Sequence, residues 1–499
     1  MTKRNILIVI ILMTALNGFA QFKISGRVQN FKGVDSLTLN IPFVYGNYHE
    51  NDIKIAINNN GKFLSKIPIS TQQFATLTYK GTMTTLLLSP GKSLSVFIDS
   101  TGKLQQFSGT AGEENQLLYE AKLNEAPFFL QGDYNHNSYA QLSAADMQEK
   151  VVKPWFKMRD ESIRRIQASK ISHMDRKLIS SEIYYQAYGE LNYFTHGIIH
   201  GNKELVNEFV SANYDSLKTD PAVFPAGPWY YYFAESYLNY LDDKIFAAYG
   251  VTDARSKEPF RNIYHISLDS ALALVKQNGG SYIRWYLFKQ YFNKKVGEQY
   301  LAQNILTVCF NKDISHVKPL MLEFKTNFPN STYTRILQKK VNELEQISKQ
   351  NEHLKNINVF ADYKKVTSIY EVVNTFRGKV IYLDIWGTWC GPCKRELTYN
   401  PRLKQRFKGK DIVFVYLDMD EEEKDSDWKR FIHLNGITGI HLRKSQAEIQ
   451  KIWEELLPGK KEHLYPSYFI FDKNGKLAQA DAKQPSDGDK LYTELEKYL

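Results

Sequence analysis

The spacing of hydrophobic and polar residues changes twice along this chain of 499 residues. In the first part, apolar and polar residues alternate, as in segments 22–28, 36–41 and 75–79, and short runs of turn-forming residues separate such segments. Alternation with a period of two is typical of β-strands that bury one face. The pattern therefore predicts a β-sandwich-like domain over residues 21–112.

A helical period replaces this alternation from about residue 113. Tyr230, Phe233, Tyr237 and Tyr240 lie three and four residues apart, which places them on one face of a helix. We interpret this aromatic stripe as core packing, because apolar residues at helical spacing far more often face a core than a ligand. The pattern predicts an α-helical domain over residues 113–355, which ends in a polar linker at 349–355.

Strands and helices alternate from about residue 356 onward. Segments 379–386 and 411–418 are apolar runs of strand length, and a single helix is predicted from 393 to 407 between them. The turn sequence Asp-Lys-Asn-Gly at 472–475 predicts a hairpin that is followed by a last helix. This order predicts an α/β sheet with an antiparallel edge over residues 356–499. The predicted fold class is therefore multidomain: an N-terminal all-β domain, a central α-helical domain and a C-terminal α/β domain.

The net charge of the chain indicates which partners it can bind, and its first twenty residues indicate where in the cell it is located. The net charge is +10, but Lys and Arg are mixed with Asp and Glu along the chain, so we predict no nucleic-acid partner. Lys3 and Arg4 precede an apolar run at 6–16, and small residues precede a cut after Ala20. This arrangement predicts a signal peptide over residues 1–20, with an uncleaved membrane tether as the alternative. The predicted location is the periplasm or the cell envelope, where the protein could associate peripherally with the membrane.

The chemistry is concentrated in two of the three cysteines. Cys390 and Cys393 lie three residues apart after a predicted strand and at the start of a predicted helix, whereas Cys309 has the surroundings of a buried hydrophobic residue. A helix N-terminus favours an anion, so we expect the thiolate of Cys390 to be stabilised and exposed as the nucleophile. Cys393, one turn further in, would resolve the mixed disulfide. The alternatives are a zinc site, which needs further ligands, and a static disulfide; the strand–CxxC–helix context favours redox chemistry.

With its flanking strand and helix, the segment Trp389-Cys-Gly-Pro-Cys393 resembles the thioredoxin superfamily, specifically the exported TlpA/ResA-like thiol–disulfide oxidoreductases. The resemblance covers residues from about 360 to 499 and implies a thioredoxin-like fold. It implies that Asp384, six residues before Cys390, is the buried acid beneath the active site, with a pKa raised by desolvation so that it exchanges a proton with Cys393.

Two further positions follow from the same resemblance. It implies that Pro466 is the cis-proline that faces the disulfide and frees backbone groups for an extended substrate. Glu396 matches an acid found at this place in the family, although it also suits the first turn of any helix. The predicted catalytic residues are thus Cys390, Cys393 and Asp384, and the predicted substrate-binding residues are Trp389, Gly391, Pro392, Tyr465 and Pro466. Tyr465 departs from the commoner neighbours of the family proline, so no substrate preference is carried over.

The sequence therefore predicts an enzyme, a thiol–disulfide oxidoreductase that reduces disulfides of exported proteins. The Gly391-Pro392 dipeptide lacks the histidine of strongly oxidising relatives, which favours a reducing pair. Such an enzyme needs no bound cofactor, but it needs an electron donor, for which we predict a membrane-borne thiol relay. The alternative is a non-enzymatic envelope binding protein in which the upstream domains act and the thioredoxin-like domain is vestigial.

Overall fold

The structure, a computed structural model of the chain, describes residues 21–499 except 33–34, 133–135, 200–202, 252–256, 352–353 and 461–462. The predicted signal peptide at 1–20 lies outside the described residues. The chain divides into two units, one of residues 1–304 and 322–331 and one of residues 305–321 and 332–499. None of the helices formed by the described residues has both the length and the apolar character needed to cross a membrane.

The N-terminal part contains two four-stranded sheets, with strand orders β4-β1-β7-β8 and β3-β2-β5-β6. The strands are β1 (Gln21–Val28), β2 (Asp35–Asn40), β3 (Asp52–Ile57), β4 (Lys62–Pro68), β5 (Gln73–Tyr79), β6 (Thr82–Leu88), β7 (Ser93–Ile98) and β8 (Leu104–Ser108). Phe22 and Ile24 of β1 share one buried core with Leu37 and Leu39 of β2, which belongs to the other sheet. The alternation in the sequence thus marks the faces that the two sheets bury against each other.

Gly26, in the middle of β1, is closely surrounded. A Cβ at this position would lie 2.1 Å from the backbone oxygen of Val96 in β7 and 2.6 Å from Cζ of Phe63 in β4. A side chain must therefore displace backbone, which costs about 1–3 kcal/mol in a packed interior. We expect Gly26→Ala to lower the free energy of unfolding by that amount in a denaturant titration. Gly280→Ala is the control, because no atom lies within 4 Å of its Cβ position; an equal loss in both variants would contradict the prediction.

Twelve helices are described between residues 112 and 351: α1 (Gly112–Glu120), α2 (Ala144–Met147), α3 (Lys153–Ala168), α4 (His173–Tyr193), α5 (Lys203–Tyr214), α6 (Pro228–Val251), α7 (Glu258–Tyr264), α8 (Leu268–Asn278), α9 (Gly280–Tyr291), α10 (Lys294–Phe310), α11 (Ile314–Asn327) and α12 (Thr334–Asn351). The aromatic stripe lies on α6, where Tyr230, Phe233 and Tyr240 are buried in the core. Cys309 is also buried. Since α12 continues to Asn351, the predicted linker at 349–355 begins as helix, and its residues 352–353 lie outside the described part.

The C-terminal part contains a six-stranded sheet of order β14-β13-β10-β11-β12-β9. Its strands are β9 (Ile357–Val359), β10 (Val380–Trp386), β11 (Ile412–Asp418), β12 (Gly439–Arg443), β13 (Ser467–Phe471) and β14 (Leu477–Gln479). Its helices are α13 (Ile369–Thr375), α14 (Gly391–Leu397), α15 (Asn400–Arg406), α16 (Asp425–Leu434), α17 (Gln450–Leu456) and α18 (Asp489–Glu496). The central strand β10 runs parallel to β11 and antiparallel to β13, which is the α/β sheet with an antiparallel edge that the sequence predicts.

Two details of this part differ from the prediction. The helix expected from 393 to 407 is two helices, α14 and α15, and Pro401 lies in the first turn of the second. Proline has no N–H to donate to the preceding turn, so one continuous helix cannot pass through this position without losing a hydrogen bond. The short strands β9 and β12 were not predicted. The first has three residues, and the second carries His441 and Arg443, two polar residues that are buried.

Candidate active site

The two cysteines lie where β10 ends and α14 begins. They form a disulfide whose Cα atoms are 5.2 Å apart. Cys390 is the residue directly before α14, and its sulfur accepts a hydrogen bond of 3.1 Å from the backbone N–H of Cys393. The first N–H groups of a helix have no partner within the helix. Once the disulfide is reduced, the same groups and the helix dipole therefore stabilise a thiolate on Cys390.

Cys390 is less accessible than the sequence suggested. Cys390 was expected to be exposed, but it is 4% exposed, and Cys393 is 1% exposed. The physical reason is that both pack into the hydrophobic core cluster that includes Trp386, which is fully buried. The residues beside them differ, because Trp389 is 59% exposed and Gly391 and Pro392 are exposed as well. The buried cysteines are thus flanked by exposed residues of the turn and of the first turn of α14.

The segment that contains Pro466 contacts this turn through Tyr465. The peptide bond Tyr465–Pro466 is cis. Pro466 directly precedes β13, and Ser467, the first residue of β13, pairs with Ile385 near the end of β10. The ring of Tyr465 contacts the ring of Trp389, with centroids 5.6 Å apart. The structure therefore brings together the two segments that the sequence predicted to bind substrate, although they are far apart in the chain.

Asp384 is a buried acid in the middle of β10. It is 3% exposed, and its Oδ1 atom has no hydrogen-bond partner among the residues that the structure describes. Its neighbours across the sheet are Tyr416 of β11 and Tyr468 of β13. Burial raises the pKa of Asp384 well above its ordinary value, the negative charge of Glu396 raises it further, and the charge of Lys404 opposes the rise. The carboxyl group therefore binds a proton more tightly than an ordinary aspartate does, which makes it a stronger base when it is ionised.

Glu396 and Lys404 approach this acid from two helices. Glu396 of α14 accepts a hydrogen bond of 2.9 Å from the backbone N–H of Ser486. Lys404 of α15 donates to the backbone oxygen of Thr438, and its Nζ lies 4.8 Å from the ring centroid of Tyr416. Burial lowers the pKa of Lys404 to about 7, although the charge of Asp384 acts in the opposite direction. Sequence reasoning missed Lys404, because a lysine in a short surface helix is by default solvated.

A family model and several known proteins match part of this chain. The family model described as Redoxin matches residues 359–495. The ResA thiol-disulfide oxidoreductases of Bacillus thuringiensis subsp. konkukian and of Bacillus cereus are each 32% identical over 124 residues, which are 25% of this chain and 64% of those proteins. A crystal structure of the thioredoxin domain of a thiol-disulfide oxidoreductase from Bacteroides vulgatus is 23% identical; the match covers 25% of this chain and 82% of that one, with a TM-score of 0.22.

The chain thus spans 64% of the length of these curated relatives, and the Redoxin model matches its C-terminal part. Within that part, the strand order and the cysteine pair at the start of α14 are those expected of a thioredoxin-like fold. The Redoxin model matches the same residues. Residues 359–495 therefore form a thioredoxin-superfamily region of the TlpA/ResA-like kind.

Proposed function

We propose that this chain is a thiol–disulfide oxidoreductase that reduces disulfides of exported proteins through Cys390 and Cys393. The observation that carries the proposal is the Cys390–Cys393 disulfide at the N-terminus of α14, with the sulfur of Cys390 bonded to the N–H of Cys393. In this position the thiolate of Cys390 is a better leaving group and is more populated at neutral pH than an ordinary cysteine thiolate.

The reaction has two exchange steps. The thiolate of reduced Cys390 attacks one sulfur of the substrate disulfide, an S–S bond forms between them, and the other substrate sulfur leaves as a thiolate. The thiolate of Cys393 then attacks the sulfur of Cys390, which restores the Cys390–Cys393 disulfide and releases the second substrate thiolate. Two electrons pass from the protein dithiol to the substrate, so a dithiol donor must reduce the protein again. A membrane-borne thiol relay is the donor that we propose.

Within this mechanism, Asp384 accepts the proton of Cys393 as the second step begins. Its burial and raised pKa support this role, because a carboxyl group with an ordinary pKa is a poor base for a thiol. The extended substrate would lie along Trp389, Gly391, Pro392, Tyr465 and Pro466. The exposure of Trp389 and its contact with Tyr465 support that placement.

The protein is exported, and its first two domains serve the third. The basic and apolar pattern of residues 1–20 supports export to the periplasm or cell envelope. We assign domain boundaries at 21–112, 113–355 and 356–499, and we propose that the first two domains position the third or select its clients.

The test is the redox midpoint of the Cys390–Cys393 pair in the full chain, titrated in a thiol/disulfide buffer. We expect a value near the roughly −270 mV of thioredoxin, together with reduction of insulin disulfides. A value near the roughly −120 mV of a strong disulfide donor would reverse the direction of electron flow. Cys309→Ala is the matched control and should leave the midpoint unchanged. A pair that does not titrate would contradict the enzymatic proposal and favour a binding protein.

A further inference from the structure

Four charged residues lie almost without solvent contact at the ends of β11 and β12. Asp418 is 0%, Asp420 2%, Arg443 1% and Lys444 2% exposed. The two strands run parallel to β10, so these residues lie at the edge of the sheet where the turn before Cys390 also begins. Buried charges are costly even when they are paired. Such a concentration beside a reactive turn calls for an explanation beyond stability.

The hydrogen bonds of this group lead to the turn. The carboxylate of Asp420 accepts two hydrogen bonds from Thr388, one of 3.1 Å from the backbone N–H and one from the side-chain hydroxyl. Thr388 is two residues before Cys390. Because the backbone N–H and the hydroxyl of Thr388 both donate to the same carboxylate, these charge-assisted hydrogen bonds fix the backbone and the side chain of Thr388 together.

The backbone of Asp420 is hydrogen-bonded to two of the other buried residues. Its backbone N–H donates to Oδ1 of Asp418 over 2.9 Å, and its backbone oxygen accepts from Nη1 of Arg443 over 2.8 Å. The same guanidinium donates to Glu422 over 2.6 Å and to Asp425 over 3.3 Å. Asp420, whose carboxylate binds Thr388, therefore belongs to a network that bonds Arg443 of β12 to two residues of the following loop and to the first residue of α16.

We propose that Asp420 is a positioning residue of the reactive turn: through Thr388 it keeps Cys390 at the start of α14 when the disulfide is open. This inference rests on the proposed redox function. In the oxidised protein the covalent bond to Cys393 holds Cys390 in place. In the reduced protein only non-covalent contacts do so, and the two bonds to Asp420 hold the turn directly. Losing one of them therefore destabilises the reduced form more than the oxidised form.

The experiment compares the redox midpoints of full-length Thr388→Val and wild type. The valine has nearly the shape of threonine but lacks the hydroxyl, so one bond to the Asp420 carboxylate is lost. A hydrogen bond to a charged group is strong enough to change the equilibrium about tenfold, which for two electrons is about 30 mV. Because the reduced form is the one weakened, we expect the midpoint to become more negative. Asp420→Asn, which removes the charge, should shift the midpoint in the same direction.

Two matched variants distinguish an effect on the position of Cys390 from a general loss of fold stability. Thr388→Ser keeps the hydroxyl and should keep the wild-type midpoint. Thr398→Val removes a hydroxyl that donates to the carbonyl of Arg395 in α14, and it should also leave the midpoint unchanged. Denaturant titrations of both redox forms should show that Thr388→Val destabilises the reduced form more, by the amount that its midpoint shift requires.

Equal destabilisation of both redox forms of Thr388→Val, with a wild-type midpoint, would overturn the proposal and leave Asp420 as an ordinary loop cap. An equal midpoint shift in Thr398→Val would overturn it as well. Failure of the proposed function looks different, because the wild-type pair itself would then not titrate.

Discussion

Replacing Cys390 by serine is expected to reduce the turnover of disulfide substrates at least about a thousandfold, to the uncatalysed rate. A serine hydroxyl is not ionised at neutral pH and cannot form a bond that exchanges with a disulfide. Fold stability should change little in the reduced protein, because the oxygen can still accept the N–H of Cys393 at the start of α14. Insulin reduction with a chemical dithiol as electron source measures the loss.

Serine in place of Cys393 should stop the reaction at a different point. Cys390 can still attack, but nothing releases the substrate, so a mixed disulfide accumulates. Mass spectrometry of the full chain after incubation with a disulfide substrate should show one adduct, on Cys390. Cys309→Ser is the control and should turn over like the wild type, because Cys309 is buried and burial raises its thiol pKa to about 12. Adducts on Cys309, or undiminished turnover of Cys390→Ser, would disprove the assignment of the nucleophile.

Asparagine in place of Asp384 is expected to change activity and stability in opposite directions. The release step should slow about a hundredfold, because Cys393 loses the group that accepts its proton. The oxidised protein, however, should become more stable at neutral pH. The carboxyl group is buried, and burial raises its pKa well above the ordinary value, so its ionisation in the folded protein is penalised.

The sign of the pH dependence follows from linkage. The folded protein holds the proton of Asp384 more tightly than the unfolded chain, whose pKa is about 3.9. Between that value and the raised pKa, the folded state binds more protons, so the stability of the wild type falls as the pH rises through this interval. Each pKa unit of the difference corresponds to about 1.4 kcal/mol. Asp384→Asn removes this loss, and the gain in stability over the wild type should grow from pH 4 upward.

Unfolding of oxidised wild type and Asp384→Asn between pH 4 and pH 9, with single-turnover release rates over the same range, tests both halves of this prediction. Asp411→Asn is the control, because Asp411 is an exposed residue just before β11. If Asp384→Asn showed the same pH dependence of stability as the wild type, Asp384 would not be the titrating group. If the release rate of Asp384→Asn equalled that of the wild type, a group other than Asp384 would accept the proton of Cys393.

The sequence pattern predicted most of the elements that carry the site. The apolar run at 379–386 became β10, the CxxC segment became the start of α14, and Asp384 is buried as predicted. The errors occurred where neighbours in space decide the outcome. A helix through 393–407 satisfies the hydrophobic period, but Pro401 starts a second helix instead. Strand β12 was missed because it carries the polar residues His441 and Arg443. The burial of Arg443 depends on its partners Glu422 and Asp425, which lie in another segment of the chain.

By itself the sequence determined the local chemistry: two thiols three residues apart at a strand-to-helix junction, and an acid six residues earlier on the strand. Helix and strand periods are properties of neighbouring residues and are enough to predict the junction, whereas the role of the acid at Asp384 was implied by the resemblance to the TlpA/ResA-like proteins. The tertiary structure alone decided that Cys390 is buried, that Tyr465 meets Trp389, and that Asp420 holds Thr388. Each of these depends on segments that are distant in the chain and meet only when the strands of the sheet align, β11 parallel and β13 antiparallel to β10.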